Sequence, residues 1–348
     1  MNILIVKMSA VGDVIHTLPA LNAIRRHYPD AHIAWLVEEA ASDLVAGHGA
    51  LDRVLVSGRK RWMRGLFGSG NLEDFKEACQ FIGTLRDTSY DLILDFQGLL
   101  KSGVLIGLSK GKRKIGFDKG MEHMEGSYRF LNERVPAVSM EHHALLRGMM
   151  LLESLGIPSD EIVFDLPVHN QHRDAARGLL IRHGVTQDKR LVAIHPIAKW
   201  DTKLWDNEKF SGLADRLIEE LGANVVFTGS PTDHDVVEEI ISTMKNGAAN
   251  LAGETDLLTL AAIYEEAEFV VSPDTGPMHL AAAVGTPVVA LFGPTAPWRT
   301  GPFGSGHQII RAELECSPCF KRKCETKECM ERISVGDVLD GIQNLGSA

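Results

Sequence analysis

The stretch Glu268-Phe-Val-Val-Ser-Pro-Asp274-Thr275-Gly276-Pro277-Met278-His279-Leu280 decides the fold. Its apolar run reads as a buried strand that stops at a small polar turn carrying a glycine. Leu280 to Gly285 then reads as a helix, and Pro287-Val-Val-Ala-Leu-Phe292 as the next strand. Strand, polar turn, helix, strand aims free backbone N–H groups at an anion, because the first N–H groups of a helix have no partner inside it. A nucleotide diphosphate suits such a turn.

Outward from this segment the alternation recurs. Upstream of it lie a strand Leu191 to Ile194, a helix Asn207 to Leu221, a strand Asn224 to Thr228, a helix from Asp233 and a helix Asp256 to Glu265. The front of the chain repeats the theme. Strand Asn2 to Val6 is followed by Ser9-Ala-Val-Gly12-Asp13 and a helix Val14 to Tyr28. Strand His32 to Val37, strand Leu92 to Asp95, helix Leu99 to Leu108 and helix His142 to Leu155 come next. Such alternation predicts an α/β fold built on mostly parallel sheets covered on both faces. The looser stretch Gly156 to Asn170 reads as a linker, giving two Rossmann-like domains, residues 1–160 and 161–348, and a last helix spans Val335 to Leu345. Two such halves are expected to face a central cleft at the carboxyl ends of their strands, lined by Asp13 from one side and Gly276 from the other.

Composition bounds the partners. The chain has 348 residues, enough for about two domains. Lys and Arg number 36 against 46 Asp and Glu, a net charge of −10, which argues against a nucleic-acid binder. Residues Met1 to Lys7 lack the basic start and long apolar core of a signal peptide, and no apolar run approaches the ~18 residues of a membrane span. A cytosolic protein is expected, with contact at a membrane surface left open. Four of five cysteines cluster as Cys316, Cys319, Cys324 and Cys329. Their C-x2-C-x4-C-x4-C spacing matches no common zinc pattern, so reduced thiols are preferred to a structural metal; Cys79 reads as packing.

The loop after the first strand has one glycine, Gly12, and no G-x-G-x-x-G; the chain also lacks a Walker motif, which disfavours dehydrogenases and P-loop hydrolases. Asp13 reads either as a helix cap, worth about 1 kcal/mol, or as a general base at a strand's carboxyl end, worth ~10²–10⁴-fold in rate. Lys203, in a strand-to-helix loop, reads as an exposed lysine or as a phosphate contact. His279 reads as packing or as a phosphate donor beside Asp274, Thr275 and Gly276. The run Arg59-Lys60-Arg61-Trp62-Met63-Arg64 reads as a solvated loop or as a grip on an anionic acceptor, extended by His123, His143 and Arg147. A second basic run, Lys110, Lys112, Arg113 and Lys114, reads as plain surface or as a face for anionic lipid headgroups.

Together these segments resemble the lipopolysaccharide heptosyltransferases, glycosyltransferase family 9, over nearly the whole length. The resemblance rests on Lys7-Met-Ser-Ala-Val-Gly-Asp-Val-Ile-His-Thr-Leu-Pro-Ala-Leu21, Trp35-Leu-Val-Glu-Glu39, Asp95-Phe-Gln-Gly-Leu-Leu-Lys-Ser102, Ser272-Pro-Asp-Thr-Gly-Pro-Met-His-Leu280 and Leu291-Phe-Gly-Pro-Thr295. It implies the GT-B fold and an inverting, metal-free and cofactor-free transfer of L-glycero-D-manno-heptose from ADP-heptose. The first half is most similar to the type I enzymes, which implies the Kdo sugar of Kdo-lipid A as acceptor. It further implies a monomer on the cytoplasmic face of the inner membrane.

By the same resemblance Asp13 is the catalytic base. Lys203, Asp233, Thr255, Asp274, Thr275, Gly276 and His279 meet the donor, and Lys60, Arg61, Arg64, His123, His143 and Arg147 meet the acceptor. Several positions depart from the family pattern: Asp233 stands for a glutamate, Ile197 and Ala198 fall near two threonines, and His123 falls near an arginine. The cysteine cluster is more similar to type II relatives, which add the second heptose. A nucleotide-sugar epimerase and a non-catalytic two-lobed binding protein are the competing classes.

Overall fold

The computed structural model describes residues 1–64, 72–121 and 125–345. The chain divides into two compact units, Met1–Pro167 and Val168–Ala348. In the first, β1 (Asn2–Val6), β2 (His32–Glu38), β3 (Arg53–Ser57), β4 (Ser89–Asp95), β5 (Lys110–Phe117) and β6 (Glu133–Val135) form one sheet in the order β3-β2-β1-β4-β5-β6. Every pairing in it is parallel. Ile3, Leu4, Ile5 and Val6 are fully buried, as a central parallel strand covered on both faces requires.

The second unit repeats the plan with β7 (Leu191–Ile194), β8 (Asn224–Phe227), β9 (Ala249–Asn250), β10 (Phe269–Pro273), β11 (Val288–Leu291) and β12 (Gln308–Ile310), in the order β12-β11-β10-β7-β8-β9. These pairings are parallel as well. Counted from its own first strand, each sheet reads 3-2-1-4-5-6. The chain direction across the sheet reverses between strands 1 and 4, so a crevice opens at their carboxyl ends, between β1 and β4 and again between β7 and β10.

Two helices differ from expectation for reasons of proline chemistry. The single helix expected over Val14 to Tyr28 is two, Val11–Ile15 and Leu18–His27. Pro19 has no N–H to carry the hydrogen-bond ladder back to Ile15, and Thr17 becomes the N-cap of the second helix. In the other unit the helix expected from Leu280 begins at Gly276 and runs to Ala283. Pro277 sits at its second position, where the missing N–H costs nothing, so the polar turn is already the helix's first turn.

The basic run Lys110 to Lys114 forms the first half of strand β5, and cations in it have local partners. Lys112 lies 2.6 Å from Asp91, Arg113 grips Glu133 at 2.7 Å through two nitrogens, and Lys114 donates to the Ile106 and Ser109 carbonyls. That leaves little for lipid headgroups. No helix among the described residues is long and apolar enough to cross a membrane.

Candidate active site

In the first unit a cavity of about 270 Å³ occupies the β1–β4 crevice, and Lys7, Asp13, His16, Asp95, Gln97 and Arg147 stand in its walls. The Gln97 carboxamide oxygen joins its two rims, accepting from the backbone N–H groups of Met8 (2.8 Å) and Ser9 (2.9 Å). Lys7 spans the crevice: its ammonium donates to the Phe96 carbonyl at 3.1 Å and stands 3.8 Å from the Asp13 carboxylate. Asp13 accepts from the Ala10 N–H at 3.1 Å, so the capping role is real. That bond uses one oxygen of a side chain that is 47% exposed, which leaves the other facing solvent near Lys7. Asp95, buried deeper, has its carboxyl pushed up by burial, partly offset by the N–H groups of Gly98 and Gln97.

Arg147 reaches the cavity from the helix Ala144–Glu153 and donates to the Met140 carbonyl at 3.1 Å. His143 is the N-cap of that helix, its Nδ1 accepting from the Leu145 N–H, and its ring meets His16 edge-on at 5.0 Å. The structure therefore brings Asp13, His143 and Arg147 together. Lys60 and Arg61 are elsewhere, on the short helix Arg59–Arg64 at the end of β3. Arg61 is held by Glu77 (2.5 Å), Glu39 (3.2 Å) and Asp74 (3.6 Å), leaving its guanidinium little capacity for an anion. Lys60 lies 3.3 Å from Glu38 with its side chain 61% exposed. The Arg64 side chain and His123 lie outside the described residues.

Glu38, at the end of β2, collects three cations: Lys101 at 2.9 Å, Arg59 at 3.1 Å and Lys60. Burial alone would raise its carboxyl, but the hydrogen bond and charge of Lys101, with Arg59 and Lys60, hold it below the usual carboxylate range. Sequence reading missed Glu38 and Lys101 as a pair. The two are far apart in the chain and meet only because the end of β2 lies beside the start of the helix Leu100–Leu108.

In the second unit Asp274 follows β10 directly and is only 6% exposed. Its Oδ2 accepts from Lys203 Nζ and from Thr295 Oγ1, each at 2.6 Å. Lys203 also donates to the Asp274 carbonyl at 3.1 Å and lies over the Trp200 ring. An ammonium has three N–H donors, so one is left to point at a ligand once Asp274 has taken two. Thr275 stands at the N-cap position of the following helix without a side-chain capping bond, Gly276 is its first residue, and His279 is buried in the first turn. Here Lys203 and Asp274 hold each other, so the pair is neutral; the positive field at this point comes from the helix N-terminus and its unpaired N–H groups.

Asp233 closes its own turn, accepting from the Ser230 N–H at 2.8 Å and from the Ser230 hydroxyl. Thr255 precedes Asp256, the N-cap of the helix Leu257–Glu266. The loops carrying the two are linked by the Gly253 N–H to Gly229 carbonyl bond, 2.9 Å. Below them runs a buried polar string that the sequence did not reveal. His195 Nδ1 lies 3.1 Å from the Thr228 hydroxyl, which lies 3.0 Å from the Tyr264 hydroxyl. Burial lowers His195 to about 4 and raises Tyr264. All five cysteines are free thiols, and among the described residues no group of three or more His, Cys, Asp or Glu is arranged to hold a metal ion.

Comparison with known proteins places this geometry in context. The family described as glycosyltransferase family 9 (heptosyltransferase) matches residues 79–330. The lipopolysaccharide heptosyltransferase 1 of Pseudomonas aeruginosa is 31% identical over 331 residues, covering 93% of this chain and 87% of that protein. The enzyme of the same description from Escherichia coli K12 is 28% identical over 321 residues, covering 90% and 95%. Among solved structures, the E. coli heptosyltransferase WaaC with ADP superposes with a TM-score of 0.80 at 26% identity, over 99% of each chain. The two parallel six-stranded sheets are those of the GT-B heptosyltransferases.

Proposed function

The chain belongs to glycosyltransferase family 9, the heptosyltransferases, and on that premise we propose that it moves a heptose from ADP-heptose to the Kdo sugar of Kdo-lipid A in the lipopolysaccharide inner core. The observation that carries the reading is the half-exposed Asp13 carboxylate in the β1–β4 cavity, with Lys7 and Arg147 in the same walls.

The chemistry is one displacement. A Kdo hydroxyl oxygen forms the new bond to the anomeric carbon while Asp13 accepts its proton. The bond from that carbon to the diphosphate oxygen breaks, and its electron pair leaves with ADP. Attack from the face opposite the leaving group inverts the anomeric centre. Charge grows on the departing diphosphate, and the Gly276 N-terminus with the remaining Lys203 donor is placed to offset it; each charge-assisted hydrogen bond is worth ~1.5–3 kcal/mol. His279, Thr275 and Thr255 serve the donor on the same side. Arg147, His143 and Lys60 serve the anionic groups of the acceptor, with Arg61 in a supporting role. The enzyme works as a monomer at the cytoplasmic face of the inner membrane.

Side-by-side transfer assays from ADP-heptose to Kdo-lipid A and to heptosyl-Kdo-lipid A test the reading, with donor alone as the third arm. Product is expected on Kdo-lipid A. Product on the heptosylated acceptor alone moves the assignment to the second heptose, and conversion of donor without acceptor replaces it with epimerisation.

A further inference from the structure

The helix Leu100–Leu108 carries an apolar stripe that its own unit leaves open. Leu100, Val104 and Leu108 recur every fourth residue, so they share one face. They are 48%, 43% and 39% exposed. The opposite side of the helix is pressed home, with Ser102 and Ile106 fully buried, and on the stripe's flank a Cβ on Gly103 or on Gly107 would meet the Phe130 ring at 2.7 Å. The helix therefore cannot roll its aliphatic residues inward. The neighbouring helix Leu72–Arg86 adds Leu72 and Phe75, both more than half exposed. An apolar groove of about 520 Å³ runs between the two helices, with Phe81, Ile82 and Val104 among its walls. Single exposed aliphatic residues are ordinary; a contiguous set around a groove marks a contact surface.

What the groove contacts is indicated by charge. Arg59 and Lys101 stand in its wall, and with Lys60 they surround Glu38. Three cations set against Glu38 and Glu125 leave an excess of one positive charge at the groove's mouth. The groove's other carboxylate, Glu125, accepts from the Leu100 N–H and so serves the helix N-terminus. Aliphatic side chains beside a cationic cluster complement a surface that is apolar inside and anionic at its rim.

We propose that this face of the first unit docks on an anionic lipid bilayer. Leu100, Val104 and Leu108 enter the acyl region, while Arg59 and Lys60 meet headgroup phosphates and Lys101 stays on Glu38 and Ser9. The inference rests on the proposed function in one respect: a lipid-anchored acceptor has to be met at a membrane.

Flotation of the full chain with phosphatidylcholine vesicles, and with vesicles that also contain phosphatidylglycerol, tests it. The wild-type chain floats with the anionic vesicles and stays behind with the neutral ones. In Val104→Glu/Leu108→Glu the anionic partition falls by roughly tenfold or more. Its thermal unfolding midpoint, and its turnover on an acyl-free, water-soluble acceptor, stay at wild-type values. Lys60→Gln lowers the anionic partition by roughly fivefold. Equal flotation of wild type and double variant overturns the proposal, as does a wild type that ignores both vesicle types. A wild type that sediments as a dimer, dissolved by the double variant and indifferent to vesicles, assigns the face to a second copy and overturns it too. Vesicle partition needs neither donor nor acceptor sugar. A chain that floats but transfers no heptose therefore fails the functional reading and leaves this one standing.

Discussion

The turn after β1 and the turn after β10 each place an aspartate at the carboxyl end of a central parallel strand, yet the two carboxylates lead different lives. Asp13 is 47% exposed, bonded to one backbone N–H and 3.8 Å from a lysine. Asp274 is 6% exposed and bonded by both a lysine and a threonine at 2.6 Å. A carboxylate that must take a proton from a substrate needs a free oxygen and open space. One that must hold a cation at a fixed point needs neither. On the proposed function the difference gives proton transfer to the first turn and architecture to the second, although in the sequence each is an aspartate one or two residues from a glycine.

If that division holds, its largest consequence is at Asp13. Asp13→Asn should cost ~10²–10⁴-fold in kcat with ADP affinity unchanged, read by steady-state turnover and by calorimetric titration with ADP. Near-normal turnover would remove Asp13 from the chemistry.

At the second turn the expected signature is reversed, with stability and binding lost together. Lys203→Met leaves the Asp274 carboxylate buried without its cation, at a cost of about 3 kcal/mol in chemical denaturation, and weakens ADP binding. Adding Asp274→Asn should restore most of the stability and none of the affinity. Recovery of both would mean that Lys203 acts only through Asp274.

The same unit should respond to acid through His195. The imidazole is held neutral by burial, with its value lowered from 6.5 to about 4. The unfolded chain therefore binds the extra proton first as pH falls below 6.5, and the folded state loses stability down to about pH 4. The loss is on the order of 3 kcal/mol. His195→Gln should flatten that part of the stability profile, and an unchanged slope would place the titration in another group.

The smallest effect is expected at Arg61, whose guanidinium already faces three carboxylates. Arg61→Ala should change the acceptor KM by less than about threefold. Lys60→Ala should raise it by roughly tenfold, as loss of a charge-assisted contact would. A larger effect at Arg61 than at Lys60 would break the ranking.

Much of this was legible in the residues themselves. The strand Asn2–Val6, the strand Leu191–Ile194 and the helix Asn207–Leu221 fall where apolar periodicity put them. The positions that misled were governed by proline: Pro19 split one helix and Pro277 extended another toward its N-terminus. Strand β5 was hidden because its first half is basic, and there Lys112 and Arg113 are neutralised by Asp91 and Glu133 on the neighbouring strands.

Among candidate site residues, composition and spacing pointed to Asp13, Lys203 and Gly276 as strand-end positions. They gave no hint that Lys203 and Asp274 hold each other, or that Lys60 and Lys101 share Glu38. Those contacts depend on the order of strands in the sheet, which local sequence does not encode. Gln97, which ties the rims of the β1–β4 crevice together, was visible only as part of a motif.

A crystal structure of the chain with ADP tests the central claim most directly. The account predicts the diphosphate on the N-terminus of the helix Gly276–Ala283, within hydrogen-bond reach of the Thr275 and Gly276 N–H groups and of Lys203 Nζ, with the Asp13 cavity free of nucleotide. A diphosphate seated in the β1–β4 cavity beside Asp13 and Arg147 would contradict it.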